Sequence, residues 1–437
     1  MTRLPARLRK RYEPPEALDS ATVTESVASA APHQAGARLG RTDKLVLAVL
    51  AVFVFFSLNF GAYRVFGDGV NYYSLTQRIF GDRHGGSGYN FGVGIMNVPF
   101  YGAAKVASVG AGHEQRLERA SITIASITWV LLAAILSWWI LAKLELPGRP
   151  LALAAAIFGT PVWYYASFSP AYSHATDAAA FALASWAMFG LWSSPALAWR
   201  LGAAGALGLA VAVRPFNAGV AAGAVFALAA FRHFRDAIIV GVGAIASYLA
   251  LAAVPYALGL SFTRRVDGTE IADTALGFSP LSPLRMLVTN HRGLFIWTPV
   301  TLLAVVGLAL LIRDHPSRPF LVTLAAMGAG LVLMNLALKP WDAGWSFSER
   351  YLASPVTLYA VGVAGLLAST RAWSHTAAAA AAIIFTGWSL LIGMNHAFGA
   401  SQSDGAIAVA TKRSPSEFVH RAWAYSRLRH VVDKLHG

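Results

Sequence analysis

The chain contains no cysteine. Disulfides and thiolate-ligated metal sites are therefore excluded. Charge is scarce: 13% of the 437 residues are Asp, Glu, Lys or Arg, against about a quarter in soluble proteins. Acidic residues are the rarer kind, 21 against 35 basic. The sequence has no Walker phosphate loop, no dinucleotide fingerprint and no Gly-x-Ser-x-Gly elbow. That removes the common nucleotide-dependent and serine-hydrolase readings. No short apolar core follows Met1, so a cleavable signal peptide is not expected.

What is abundant is apolar sequence, 56% of the chain. Many runs reach the length needed to cross a bilayer core of about 30 Å. The expected fold is an all-α polytopic membrane protein. The net charge of +14 would suggest nucleic acid in a soluble protein. Here it fits anchoring at anionic headgroups or attraction of a phosphate-bearing ligand, and no nucleic-acid partner is expected.

Residues 1–42 are rich in Arg, Pro, Ala, Ser and Glu without an apolar run, and read as a disordered tail. Arg3, Arg7, Arg9, Lys10, Arg11, Arg38 and Arg41, with Lys44 beside them, place that tail in the cytoplasm by the positive-inside rule. Residues 43–396 form the membrane domain, and 397–437 a basic, amphipathic C-terminal tail. About eleven crossings are expected, within a range of ten to thirteen: 45–62, 121–142, 150–166, 175–192, 201–213, 216–231, 237–260, 293–312, 319–338, 352–369 and 376–395. As one helix, 201–231 would span about 46 Å at 1.5 Å per residue, too long for an untilted pass. Pro215 disfavours helix at Arg214, so two short helices are expected there. The first outer loop, 63–120, is too long for a connector. It carries two mildly amphipathic pieces, 71–80 and 93–109, expected to lie along the membrane surface.

Polar residues gather where crossings end. Phe66-Gly67-Asp68-Gly69-Val70-Asn71-Tyr72-Tyr73 follows the first crossing. Its flanking glycines leave the backbone free for a tight turn or for close approach by a ligand. It reads either as an interface turn with belt aromatics or as a site built on Asp68. Ser169-Pro170-Ala171-Tyr172-Ser173-His174-Ala175-Thr176-Asp177 opens the fourth crossing. His174 and Asp177 share a helical face, either as a polar entry turn or as a ligand contact. Arg214 must snorkel or pair. Phosphate oxygens suit its fork, and Asp68, Asp82 or Glu349 would serve equally. Thr289-Asn290-His291-Arg292-Gly293-Leu294-Phe295 opens the eighth crossing. Trp341-Asp342-Ala343-Gly344-Trp345-Ser346-Phe347-Ser348-Glu349-Arg350-Tyr351-Leu352 opens the tenth. Asp68, Asp82, His84, Asp342 and Glu349 could supply hard ligands to a divalent cation, but no spacing forms a recognisable metal site, and no cofactor is required.

Taken together these segments resemble the GT-C superfamily of integral-membrane glycosyltransferases. The likeness is to bacterial relatives of the protein O-mannosyltransferase and aminoarabinose-transferase branch. It rests on Gly67-Asp68-Gly69 with Tyr72-Tyr73, on Phe168-Ser169-Pro170 through Ser173-His174, on Arg214-Pro215, and on Gly344 through Leu352, which is similar to a family Gly-x-x-Phe-Gly-x-Arg-Tyr pattern. It covers about 45–370. Three departures stand out. Asp68 has glycine neighbours where several members carry an acidic pair, which argues against a bound metal. Ser348 replaces the usual glycine. No large soluble C-terminal domain follows, which leaves the acceptor open.

The resemblance implies a polyprenyl-phosphate-linked sugar as donor and Asp68 as general base. It implies an acceptor hydroxyl on a glycan, lipid or protein. The candidate substrate-contacting residues are Tyr72, Tyr73, His174, Arg214, His291, Arg292, Trp341, Asp342, Glu349, Arg350 and Tyr351. The expected location is a bacterial inner membrane, with membrane lipids as surroundings and the site on the outer face. Two other classes remain at this stage: a transporter or flippase of lipid-linked sugars, and a non-catalytic partner in a cell-envelope complex.

Overall fold

The computed structural model describes residues 40–65, 67–82, 90–109, 114–259, 282–337, 347–348, 350–369, 372–399 and 404–429. By contacts the chain divides into Met1–Arg41 and Thr42–Gly437, and the architecture below is that of the second unit. The expected tail lies almost wholly outside the described residues, as do Trp341, Asp342 and Glu349.

Every regular element among the described residues is helical. The order begins with α1 (Arg41–Phe60), α2 (Gly69–Ile79), α3 (Phe91–Ser108) and α4 (Glu114–Lys143). It continues with α5 (Arg149–Phe158), α6 (Val162–Ser167), α7 (His174–Ser193), α8 (Leu197–Val213), α9 (Ala218–Ala230) and α10 (Phe234–Ala257). Then come α11 (Ser282–Val288), α12 (Leu294–Trp297), α13 (Val300–Asp314), α14 (Arg318–Leu336), α15 (Val356–Ser369) and α16 (Ala372–Ala397). The chain closes with α17 (Ala406–Thr411) and α18 (Pro415–Tyr425).

Local sequence explains most of the boundaries. Arg214 is extended and Pro215 opens a 3-10 turn, so the apolar stretch 201–231 is two helices. Pro161 and Pro299 act in the same way, splitting the expected crossings 150–166 and 293–312 into α5–α6 and α12–α13. Glu114 at the start of α4 and Lys143 at its end both suit the helix dipole. The two amphipathic pieces of the first long loop are α2 and α3.

Five of the described helices are long and apolar enough to cross a membrane: α1, α4, α10, α14 and the 374–397 part of α16. Shorter apolar helices, among them α5, α8 and α15, fill the spaces between them. On α10, Ile238, Val242, Ile245 and Leu249 form one stripe at helical spacing, each about 60% exposed. An apolar stripe of that kind has no place against water. It points, with the five long helices, to a membrane protein.

Inside the bundle small residues let helix axes approach closely. A Cβ on Gly330 of α14 would collide with the carbonyl oxygen of Gly219 on α9, and one on Gly362 of α15 with that of Ala304 on α13. Gly330→Val is therefore expected to cost more than the usual 1–3 kcal/mol of overpacking, because the obstacle is backbone. A thermal melt of the purified variant checks this; a melting temperature equal to wild type would refute the tight α9–α14 contact.

Candidate active site

The first expected site residue sits where the chain leaves α1 and enters α2. Gly67 has φ +57°, which a side chain would strain, and a Cβ there would strike the Tyr172 hydroxyl. A Cβ on Gly69 would strike Ala171. Glycine is thus required on both sides of Asp68 because the 171–172 turn packs against this loop. The close approach expected of a ligand is made, on the protein side, by that turn.

Asp68 is about a quarter exposed, and its Oδ2 lies 3.6 Å from Arg350 Nη2. Arg350 precedes α15 on a short 3-10 turn. Its guanidinium lies 5.6 Å from the Tyr172 ring and 5.3 Å from the Tyr351 ring. Burial works against the Arg350 charge, but Tyr351, Tyr165 and Asp68 outweigh it and hold the pKa above that of ordinary arginine. The group is a permanent cation. Burial, and then the Asp68 charge, push the Tyr172 phenol up, so it stays a neutral hydroxyl. His174, 2% exposed, stacks on Tyr172 with centroids 6.2 Å apart and lies 4.3 Å from the Tyr165 ring. Its Nδ1 is buried and has no hydrogen-bond partner among the described residues.

Arg214 belongs to the same cluster, but not with the carboxylates expected for it. A phosphate, or Asp68, Asp82 or Glu349, is the expected partner, with Glu349 outside the described residues; the structure pairs it with Asp177. Arg214 Nη1 donates to Asp177 Oδ2 at 3.0 Å, and Asn217 Nδ2 donates to Asp177 Oδ1 at 2.5 Å. Asp177 and Arg214 are 0% and 3% exposed. Asp68 is held instead by Arg350, and Asp82 ion-pairs with Lys105 and accepts from the Tyr101 hydroxyl. Arg214 also donates to the Tyr351 carbonyl at 3.4 Å and lies 5.0 Å from its ring. The Tyr351 ring is therefore shared by two guanidiniums.

No protein-family model and no curated protein matches the chain.

Tyr72 and Tyr73 are on α2 but buried among helices. The Tyr72 hydroxyl accepts from Asn90, and that of Tyr73 donates to Glu118 at 3.2 Å. Arg292 lies in a second cluster. It is 2% exposed and 5.8 Å from the Trp297 ring, while the neighbouring His291 is exposed. That cluster includes His396, whose Nδ1 is 3.1 Å from the Tyr164 hydroxyl. Phe347 divides the two groups: its ring stacks on Tyr164 at 4.7 Å, and its carbonyl accepts from the Tyr165 hydroxyl. The structure thus brings together Asp68, His174, Arg214, Arg350 and Tyr351, and places Arg292 behind Phe347. Sequence reasoning missed Tyr165 and His396 as members. A lone histidine near the end of an apolar helix was the available signal for His396.

Among the described residues no three His, Asp or Glu side chains stand close enough to hold a metal ion. An apolar cleft lined by Leu183, Trp186 and Trp199 lies at the opposite end of α7 and α8 from His174 and Arg214, and offers no reactive group.

Proposed function

We propose that this chain is a GT-C-type membrane glycosyltransferase acting from a polyprenyl-phosphate sugar at the outer face of a bacterial inner membrane. The observation that carries the reading is the Asp68–Arg350 pair. A partly exposed carboxylate and a permanent cation, far apart in sequence, converge at one end of the bundle.

Each group has a task in glycosyl transfer. Asp68 accepts the proton of the acceptor hydroxyl. The acceptor oxygen forms its bond to the anomeric carbon as the bond from that carbon to the phosphate oxygen breaks. The electron pair leaves on the polyprenyl phosphate, whose growing charge Arg350 stabilises. The Tyr172 and Tyr351 rings lie beside the cation, and Arg214 of the Asp177–Arg214 pair lies 5.0 Å from the Tyr351 ring. Eleven crossings and a cytoplasmic N-terminus complete the reading. They are supported by the apolar helices, five of which are long enough to cross a membrane, and by the arginine-rich tail.

Purified protein supplied with a polyprenyl-phosphate sugar and a panel of hydroxyl acceptors should release polyprenyl phosphate. Arg350→Ala should lower both donor affinity and rate. Unchanged donor affinity in that variant would count against the phosphate role. Orientation is checked separately: cysteine placed at Ser346, in this cysteine-free chain, should react with an impermeant reagent from outside only. Labelling confined to the cytoplasmic side would invert the assignment.

A further inference from the structure

Residues 404–429 do not hang free of the bundle. They form a strap across the end that carries Asp68. Arg413 Nη1 donates to the Asn395 carbonyl at 3.1 Å and Nη2 to the Phe398 carbonyl at 2.7 Å, closing the end of α16. The Ala406 amide donates to the Asn290 carbonyl at 2.8 Å. At the far end, the Ser426 hydroxyl and the Leu428 amide both donate to Asn59 Oδ1, at 2.9 and 3.0 Å, on the last turn of α1. Arg427 lies 3.9 Å over the Tyr63 ring. The strap therefore runs from the end of one long apolar helix, α16, to the end of another, α1.

Between these anchors lies α18, opened by Ser414, whose hydroxyl accepts from the Glu417 amide at 3.2 Å. Its faces fall into three sectors. Phe418 turns toward Phe398, and Tyr425, half exposed, reaches the same ring, with centroids 5.8 and 4.9 Å from it. Val419 and Trp423, about 40° apart on a helix of 3.6 residues per turn, point away from the protein and are 65% and 46% exposed. Glu417 and Arg421, about 160° from Val419 on either side, form the polar sector with side chains about half exposed. An inward face, an apolar flank and a polar back suit a helix lying in the plane of a membrane boundary.

The occupant of the apolar flank follows from its neighbours. Asn59, the strap's anchor, directly follows Leu58 on α1, which is exposed together with Phe55. These outward residues belong to a helix long and apolar enough to cross the membrane. The apolar flank of α18 thus continues a lipid-facing surface. With Arg413 turned inward, Lys412, Arg421, Arg427 and Arg429 still outnumber Asp404 and Glu417 along the strap, as anionic headgroups require. We propose that the strap is an interfacial membrane element, with Val419 and Trp423 in the acyl-chain edge of the leaflet next to Asp68 and the basic residues among the headgroups. The proposal needs a bilayer only and does not depend on glycosyl transfer.

The absence of cysteine makes the test clean. Val419→Cys, Trp423→Cys and Glu417→Cys would each carry an environment-sensitive fluorophore on the full chain. The labelled proteins would be reconstituted in vesicles of phosphatidylcholine and phosphatidylglycerol. Quenching would be measured with a nitroxide placed high on a lipid acyl chain and with aqueous iodide. At positions 419 and 423 the lipid nitroxide should quench several-fold more than at 417, with iodide showing the reverse order. Equal quenching of all three by iodide would put α18 in water and overturn the proposal. Shielding of 419 and 423 from both quenchers would also overturn it, because a protein surface, from a partner or a second copy, would then cover the flank.

Discussion

Replacing Asp68 by asparagine should lower turnover by about 100- to 10,000-fold, the span over which a general base contributes, while leaving the protein folded. Asparagine keeps the size of the side chain and can still accept a hydrogen bond, but it cannot hold the proton of an attacking hydroxyl. Donor binding should hold or tighten. In the native site the Asp68 carboxylate stands 3.6 Å from Arg350 and competes with a phosphate for the same guanidinium; the amide does not. Stability should change modestly, since Asp68 is about a quarter exposed and stands 3.6 Å from Arg350, beyond hydrogen-bond length, and the guanidinium keeps the Tyr172 and Tyr351 rings beside it. Three measurements on one preparation separate the roles: release of polyprenyl phosphate, donor affinity and the melting temperature. A folded Asp68→Asn protein that releases lipid at the native rate would end the catalytic assignment. A lowered melting temperature with normal turnover per folded molecule would make Asp68 a structural partner of Arg350.

The helices were legible in the sequence because long apolar runs and proline breaks act locally. Pro215 ends α8 where expected, and the two pieces of the first loop are helices. Thr298-Pro299 marks an early interruption of 293–312, and the break between α12 and α13 falls there; Pro161 carries the same signal inside 150–166, a run long enough to read as a single crossing. Side-chain pairing was less legible, because it depends on which helix ends meet. Arg214 needed a carboxylate, and the sequence offered Asp68, Asp82 and Glu349 as readily as any. His174 and Asp177 read in sequence as one face of a helix entry, whereas in the structure Asp177 meets Arg214 and Asn217 while His174 stacks on Tyr172. The glycines beside Asp68 read as freedom for a ligand; the turn at Ala171–Tyr172 occupies that space. The convergence of residue 68 with residue 350 is expected only from their common place at outer helix ends and not from any local pattern.

Replacing Asp177 by leucine should be the most damaging substitution for stability. It leaves the Arg214 guanidinium, 3% exposed, buried without its carboxylate, and breaking one side of such a pair costs about 3–5 kcal/mol. Asn217 loses an acceptor at the same time. The single variant should therefore express poorly or melt many degrees lower. Asp177→Leu combined with Arg214→Met removes both charges together, and stability should largely return, because an apolar replacement of a buried ion pair is often neutral or better. Function should not return with it. Arg214 also donates to the Tyr351 carbonyl and lies 5.0 Å from its ring, and the same ring lies 5.3 Å from the Arg350 guanidinium. Without Arg214 the 350–351 turn loses a tether, so donor affinity should stay several-fold weaker in a double variant that melts like the native protein. Native donor affinity in that double variant would confine the Asp177–Arg214 pair to structure. A native melting temperature for Asp177→Leu alone would show that the pair is not formed in the membrane.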